Sequence, residues 1–280
     1  MYKVKKRLPI GLQLYTLRNS AQKNLHSTLS FVKGLGYDGV ELAGLYGLTA
    51  GQMKAALEKA GLAAISSHVP YAELADDMRG TIDKYSLIGC EYIAIPYLNK
   101  EHRPGSEGYP QVLENMKKVG IICREKGMTL LYHNHDFEFM ALPDGRIALD
   151  ALYEDIPADI LQTQIDTCWA KVAGHDPAEY VRKYAGRCPL VHLKDFHLEG
   201  TLEYTPYELI GIRNERPAQF DDMFSFRPLG MGMQDMPALL DACADSGAKW
   251  LIVELDAPSP GAAPEEDVSM SIEYLRSLGL

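Results

Sequence analysis

Eight short apolar runs, separated by stretches long enough for a helix, constrain this 280-residue chain more than any other feature. After IGLQLY near the start come GLGYDGVEL ending at Glu41, AGLAAISSH at His68, IGCEYIAIP at Pro96, KGMTLLYHNH at His133 and His135, ILQTQID at Asp166, CPLVHLKD around His192, and AKWLIVE at Glu254. Turn-like, usually glycine-containing segments lead into seven of them. Strand-like runs alternating with helical spacing predict parallel strands joined by crossover helices. Eight such units predict the α/β class, with residues 1–280 forming a single (β/α)8 TIM-barrel domain. That fold keeps its active site at the C-terminal ends of its strands, where most of these runs place a residue able to bind a metal or move a proton.

Between the runs, Leu25, Leu29, Val32 and Leu35 recur at helical spacing, as do Met53, Leu57 and Ala60, so Gly36 and Gly61 read as helix C-caps. Further amphipathic stretches lie near 73–88, 108–126, 177–185, 235–246 and 266–278, with Pro177 and Pro237 suited to first helical turns. Segment 196–234 is longer than an ordinary strand-to-helix connection and reads as a partial lid or a subunit contact, which leaves a homo-oligomer open. A net charge of −10 supplies no basic face for a phosphodiester backbone, so nucleic acid is not an expected partner. Cys90, Cys123, Cys168, Cys188 and Cys243 are odd in number and form no CxxC pair, which argues against a disulfide framework or a thiolate zinc site. The basic start MYKVKKRLP leads into no continuous apolar segment; neither a secretion signal nor a membrane span is expected, and the cytoplasm is the expected location.

Alternation along the strands selects the chemistry. His133 and His135 are two apart and face the same side, with Asn134 opposite. His192 and Lys194 share a side in the same way. Asp166 ends an apolar run just before a helix, and Glu254 follows WLIV, where an ionised carboxylate is costly unless something cationic meets it. His133, Asp166, His192 and Glu254 thus form a mixed nitrogen and oxygen set from four successive strands, suited to one divalent ion such as manganese, cobalt, zinc or iron.

The runs IGLQLYTLR, GYDGVEL, YHNHDFEF, DTCWAKVAGHDP, VHLKD, PLGMGMQDMPALL and VELD together resemble the xylose isomerase-like barrels of the sugar phosphate isomerase/epimerase superfamily, which also contains ketose 3-epimerases, inosose dehydratases and endonuclease-four-type repair enzymes. The resemblance covers nearly the whole chain. In the epimerase branch it implies a divalent metal held by Glu, Asp, His and Glu, the two glutamates also exchanging the substrate proton. Asp166, His192 and Glu254 match the last three, whereas the first glutamate falls on His133. Glu138 is a candidate for the missing carboxylate.

The expected activity is a metal-dependent sugar isomerase or epimerase acting on a small ketose or related carbohydrate through an enediolate, with Glu254, His133, Glu138 and Lys194 as catalytic candidates. Glu41, His68, His135 and Trp169 are expected at the substrate, with Trp169 and Phe137 available for stacking on a sugar face. Lys194 is expected to neutralise a substrate oxyanion, to pair with Glu41, or to order its loop through Asp195. A histidine at 133 keeps a 3-keto-sugar lyase or an inosose-type dehydratase on the same site as the alternative. A metal-free carbohydrate-binding or accessory barrel is the reading from another class.

Overall fold

The structure is a computed structural model, and it describes residues 2–200 and 223–280. Eight parallel strands close on themselves: β1 (Ile10–Gln13), β2 (Gly39–Ala43), β3 (Ala63–His68), β4 (Tyr92–Ile95), β5 (Thr129–His133), β6 (Leu161–Asp166), β7 (Leu190–Leu193) and, as the eighth barrel strand, β10 (Trp250–Val253). The ring is sealed where Gly11 pairs with Ile252 on one side and with Gly39 on the other. This is the predicted barrel, and its strands are short because each crosses the wall only once.

Alternation divides the side chains into two cores. Ile65, Ala94, Leu131, Leu190 and Ile252 plug the barrel interior. The opposite faces of the strands, among them Leu12, Val40, Ile93, Leu130, Tyr132, Ile165, Val191 and Val253, pack outward under the helices. Gly11 and Gly39 are required beside the plug, since a Cβ at either would collide with the Ile65 side chain.

The helices follow the expected spacing with corrections at their ends. Gly36 and Gly61 terminate the helices Arg18–Leu35 and Ala50–Ala60 in left-handed conformations. The stretch near 73–88 is two helices, Tyr71–Asp76 and Met78–Ile88, because Asp77 leaves helical geometry and its side chain caps the second at Gly80. Ala148–Asp155 and Thr167–Val172 are additional helices not separated out in the periodicity.

The segment read as one long loop begins and ends as a hairpin. β8 (Asp195–Leu198) pairs antiparallel with β9 (Phe224–Arg227), so the excursion leaves and returns along one ladder. Asp195 fastens its base by accepting the backbone N–H groups of Phe196, Gly230, Gly232 and Gln234 at 2.9–3.1 Å. Residues 201–222, on which the lid and subunit-contact readings chiefly fall, lie outside the described residues. Among the described residues no helix is long and apolar enough to cross a membrane.

Candidate metal centre

The C-terminal mouth of the barrel holds two stacked polar layers. The lower is built around Glu41 on β2, which is fully buried. Its carboxylate accepts from Gln13 Nε2 at 2.8 Å, Ser66 Oγ at 2.5 Å and Gln164 Nε2 at 2.6 Å. It also meets His192 Nε2 at 2.7 Å and His68 Nε2 at 3.1 Å. Burial alone would raise the Glu41 carboxyl, but the His68 and His192 imidazoles outweigh it and hold the group well below the usual range.

His192 on β7 joins this layer to the upper one. Its Nδ1 lies 2.8 Å from Glu254 Oε2, while Nε2 is on Glu41. Burial disfavours the imidazolium, yet the two carboxylates raise the ring to about 10. Glu254 follows β10 directly and is held well below the carboxylate range, because Lys194 and His192 overcome the burial that would raise it.

Asp166 at the end of β6 has its two oxygens divided between two tasks. Oδ1 caps the helix Thr167–Val172 through the Trp169 N–H at 3.0 Å. Oδ2 lies 3.0 Å from Lys194 Nζ and 3.8 Å from His133 Nε2, yet receives no well-angled hydrogen bond. Asn134 locks this corner, accepting from the Asp166 N–H at 2.9 Å and donating to the Asp166 carbonyl at 3.4 Å. His133 on β5 faces Gln164 Oε1 through Nδ1 at 3.2 Å. Burial, then the neighbouring positive charge of His192, hold His133 well below the ordinary imidazole range, so it is neutral and a competent ligand.

One donor atom from each of His133, Asp166, His192 and Glu254 lies within 4.8 Å of the others. This donor set fits a divalent ion: two imidazoles, two carboxylates, and one buried carboxylate oxygen without a well-directed hydrogen bond. For His192 to bind through Nδ1, the proton shared with Glu254 leaves while Nε2–H stays on Glu41, the usual carboxylate–histidine pairing behind a metal ligand. His68, His133 and His192 form a second close grouping, with the His68 and His192 rings stacked at 5.4 Å.

A cavity of about 540 Å³ opens over this layer, lined at depth by His68, His133, His135, Glu254 and Asp256 and toward the mouth by Tyr15, Tyr97, Pro70 and Pro96. His68 and His135, two of the expected substrate contacts, line it; Glu41 and Trp169 do not. Glu41 is taken up by its five partners, Gln13, Ser66, His68, Gln164 and His192. Trp169 is fully buried among Phe196, Phe224, Phe226 and Leu255, because the helix capped by Asp166 turns its indole away from the cavity. Phe137 stacks on His135 and carries the Arg103 guanidinium 3.5 Å above its ring.

Two further placements differ from the sequence reading. Lys194 meets neither Glu41 nor Asp195; its fully buried ammonium lies 3.0 Å from Asp166, 2.9 Å from Glu254 and 3.0 Å from Asp256. Glu138 is buried on the outer side of β5, accepting from Tyr132 Oη at 2.6 Å and the His135 N–H at 2.8 Å, and it does not line the cavity. Burial pushes its carboxyl up to about 8. Its position follows from Tyr132, whose side chain alternates to the face opposite His133. Asp256 was not singled out from the sequence, although it lies two residues beyond Glu254, the spacing that already paired His133 with His135.

A closed parallel barrel with its titratable cluster at the C-terminal strand ends defines a (β/α)8 protein with its site in the position typical of that fold. Within that class the chain belongs to the xylose isomerase-like TIM barrel family, whose model matches residues 29–278. It is 24% identical over 273 residues to an inosose dehydratase from Geobacillus kaustophilus, with 89% of this chain and 86% of that protein covered. Its fold is similar to that of a sugar phosphate isomerase/epimerase from Parabacteroides distasonis, with a TM-score of 0.78, 20% identity, and 98% and 96% of the two chains covered. An L-ribulose 3-epimerase superposes with a TM-score of 0.72 at 17% identity over 97% of this chain and 94% of its own.

Proposed function

We propose that this protein is a metal-dependent enzyme acting on a small carbohydrate, in which Glu254 removes a proton from the carbon next to a carbonyl. The observation that carries the reading is that Glu254 and His133, which line a sugar-sized cavity, meet Asp166 and His192 just behind its lining. A divalent ion held by these four residues supplies Lewis acidity for the carbonyl of a bound sugar. Around it, the chain's own groups orient and carry protons. Glu254 lines the cavity and is kept ionised by Lys194 and His192, the form in which a carboxylate can accept a proton. Glu41 fixes the His192 ring from below, and Gln164 bridges His133, His68 and Glu41.

The fate of the enediolate separates two reactions. Return of the proton at a neighbouring or inverted position makes an isomerase or epimerase. Loss of a β-oxygen makes a dehydratase or lyase, and one observation favours it: of the lining carboxylates, Glu254 and Asp256 both follow β10 and Glu73 is tied to Lys84, while His68, His133 and His135 stand on the side of β3 and β5. A carboxylate on one wall and imidazoles on the other serve proton removal and leaving-group assistance better than proton exchange between two carboxylates. The inosose dehydratases among the relatives agree with that preference.

Elemental analysis after mild purification tests the centre: about one equivalent of divalent metal is expected, most of it lost in Asp166→Ala and in Glu254→Ala. Full metal content in both variants removes the site. Incubation of a ketose, an inosose and a 3-keto sugar in deuterated water then distinguishes the reactions, since elimination yields an unsaturated product and exchange returns a deuterated sugar.

A further inference from the structure

Lys194 already places a positive charge among the carboxylates that are to hold the ion. Its ammonium has three N–H donors and three carboxylate neighbours, Asp166, Glu254 and Asp256, each at 2.9–3.0 Å. Two of the three belong to the four-residue donor group; Asp256 does not. The other surroundings are aromatic, with the Trp169 and Phe226 rings centred 5.5 and 5.8 Å from Nζ, and the side chain has no exposed surface. Lys194 therefore has no water into which to withdraw.

We infer that Lys194 is a resident cation competing with the divalent ion for Asp166 and Glu254, and that Asp256 sets metal affinity without being a ligand by holding the ammonium once those carboxylates are taken. The inference rests on the metal-centred reading above and concerns how that site loads. Like charges a few ångströms apart in a buried site repel strongly, so an ion entering between Asp166 and Glu254 both takes away two partners of Lys194 and opposes its charge. A buried charge stripped of its partners is strongly unfavourable. Asp256, which already accepts from Nζ through both oxygens at 3.0 and 3.1 Å, is the one remaining anion beside it among the described residues. Asp256 also lines the cavity, so its hold on Lys194 is open to a substrate that reaches the floor.

Titration of the full-length protein with Mn²⁺ by calorimetry, with Co²⁺ absorption as a second readout, tests this. Asp256→Asn is expected to weaken Mn²⁺ binding about tenfold or more, and Lys194→Met to tighten it by a similar factor, with Lys194→Gln as the variant that keeps a donor if the methionine form folds poorly. In the Lys194→Met background the Asp256→Asn effect shrinks to about twofold, because no ammonium is left to hold. The Co²⁺ spectrum of Asp256→Asn keeps the wild-type shape. Weaker Mn²⁺ binding in both lysine variants, an undiminished Asp256→Asn effect in the double variant, or an altered Co²⁺ spectrum would each overturn the inference while leaving the metal centre standing. Failure of every form, wild type included, to take up an ion removes the centre itself and this inference with it.

Discussion

Glu41 and Glu254 are buried carboxylates on opposite nitrogens of one imidazole, yet they belong to differently built layers. Around Glu41 the partners are largely neutral: an amide from β1, a hydroxyl from β3 and an amide from β6, joined by two imidazoles. Each sits on a barrel strand, and the carboxylate is held jointly by three neutral donors and the two imidazoles. Around Glu254 the balance is kept by charges, with Asp166 and Asp256 sharing one ammonium and His192 alongside. Fixed dipoles orient a group, whereas mobile charges can be replaced by others. On the metal-centred reading, the lower layer serves as a mount and the upper one as the place where a cation is exchanged.

The largest effect that would sharpen this contrast is in the upper layer. Glu254→Gln keeps the size and an oxygen donor but removes the base, so deuterium exchange into the substrate should fall by roughly 10²-fold or more. Near wild-type exchange with metal bound would transfer the base to Asp256 or His135, both of which face the cavity.

In the lower layer the main loss should be stability. Glu41→Ala leaves buried amide, hydroxyl and imidazole donors without their acceptor, and a cost of about 3–5 kcal/mol in chemical denaturation is expected, the scale for breaking a buried charged pair. If Glu41→Ala instead melts like wild type and fails only in binding sugar, the layer is not a mount. A smaller change is expected for Asp166→Ala, which removes a helix cap as well as a proposed ligand: about 1 kcal/mol of stability alongside the metal loss predicted above.

The mildest test uses a third buried carboxylate. Glu138 has two neutral donors where Glu41 has five groups, and burial raises it from 4.5 to about 8. A raised folded value means that the folded state keeps a proton the unfolded chain gives up, so this contribution is present below about pH 4.5 and fades as pH rises toward 8. Melting temperature should therefore decline across that window more in wild type than in Glu138→Gln. Parallel pH profiles for the two would show that Glu138 is ionised throughout.

Much of this arrangement could be read from residue order, and the reasons differ by residue. Period-two alternation in LLYHNH and VHLKD set His133 beside His135 and His192 beside Lys194, because a strand leaves a side chain only two directions. Closure of the barrel then brought Asp166 and Glu254 to the same rim. Glu41 was also seen as inward, but its depth depends on where Gln13, Ser66 and Gln164 stop, and neutral polar residues inside apolar runs carry no distinctive signal. Lys194 was assigned to Glu41 or Asp195 through nearness in chain or in type, whereas its partners come from β6 and from the segment after β10, a choice made by barrel curvature. The β8–β9 ladder joins strands 25 residues apart across segment 199–223, too distant for a turn signature to announce it.

The division of labour within Asp166 has an optical consequence. One oxygen grips the first turn of the helix that carries Trp169, while the other points into the cluster. The chain has only two tryptophans, and this one lies among three phenylalanines with an ammonium 5.5 Å from its ring. Whatever draws on Asp166 or displaces Lys194 alters the electric field across that indole. The expected consequence is that the emission colour of Trp169 shifts when Mn²⁺ is added, and an unchanged spectrum at saturating Mn²⁺ would show that nothing reaches Asp166 or Lys194.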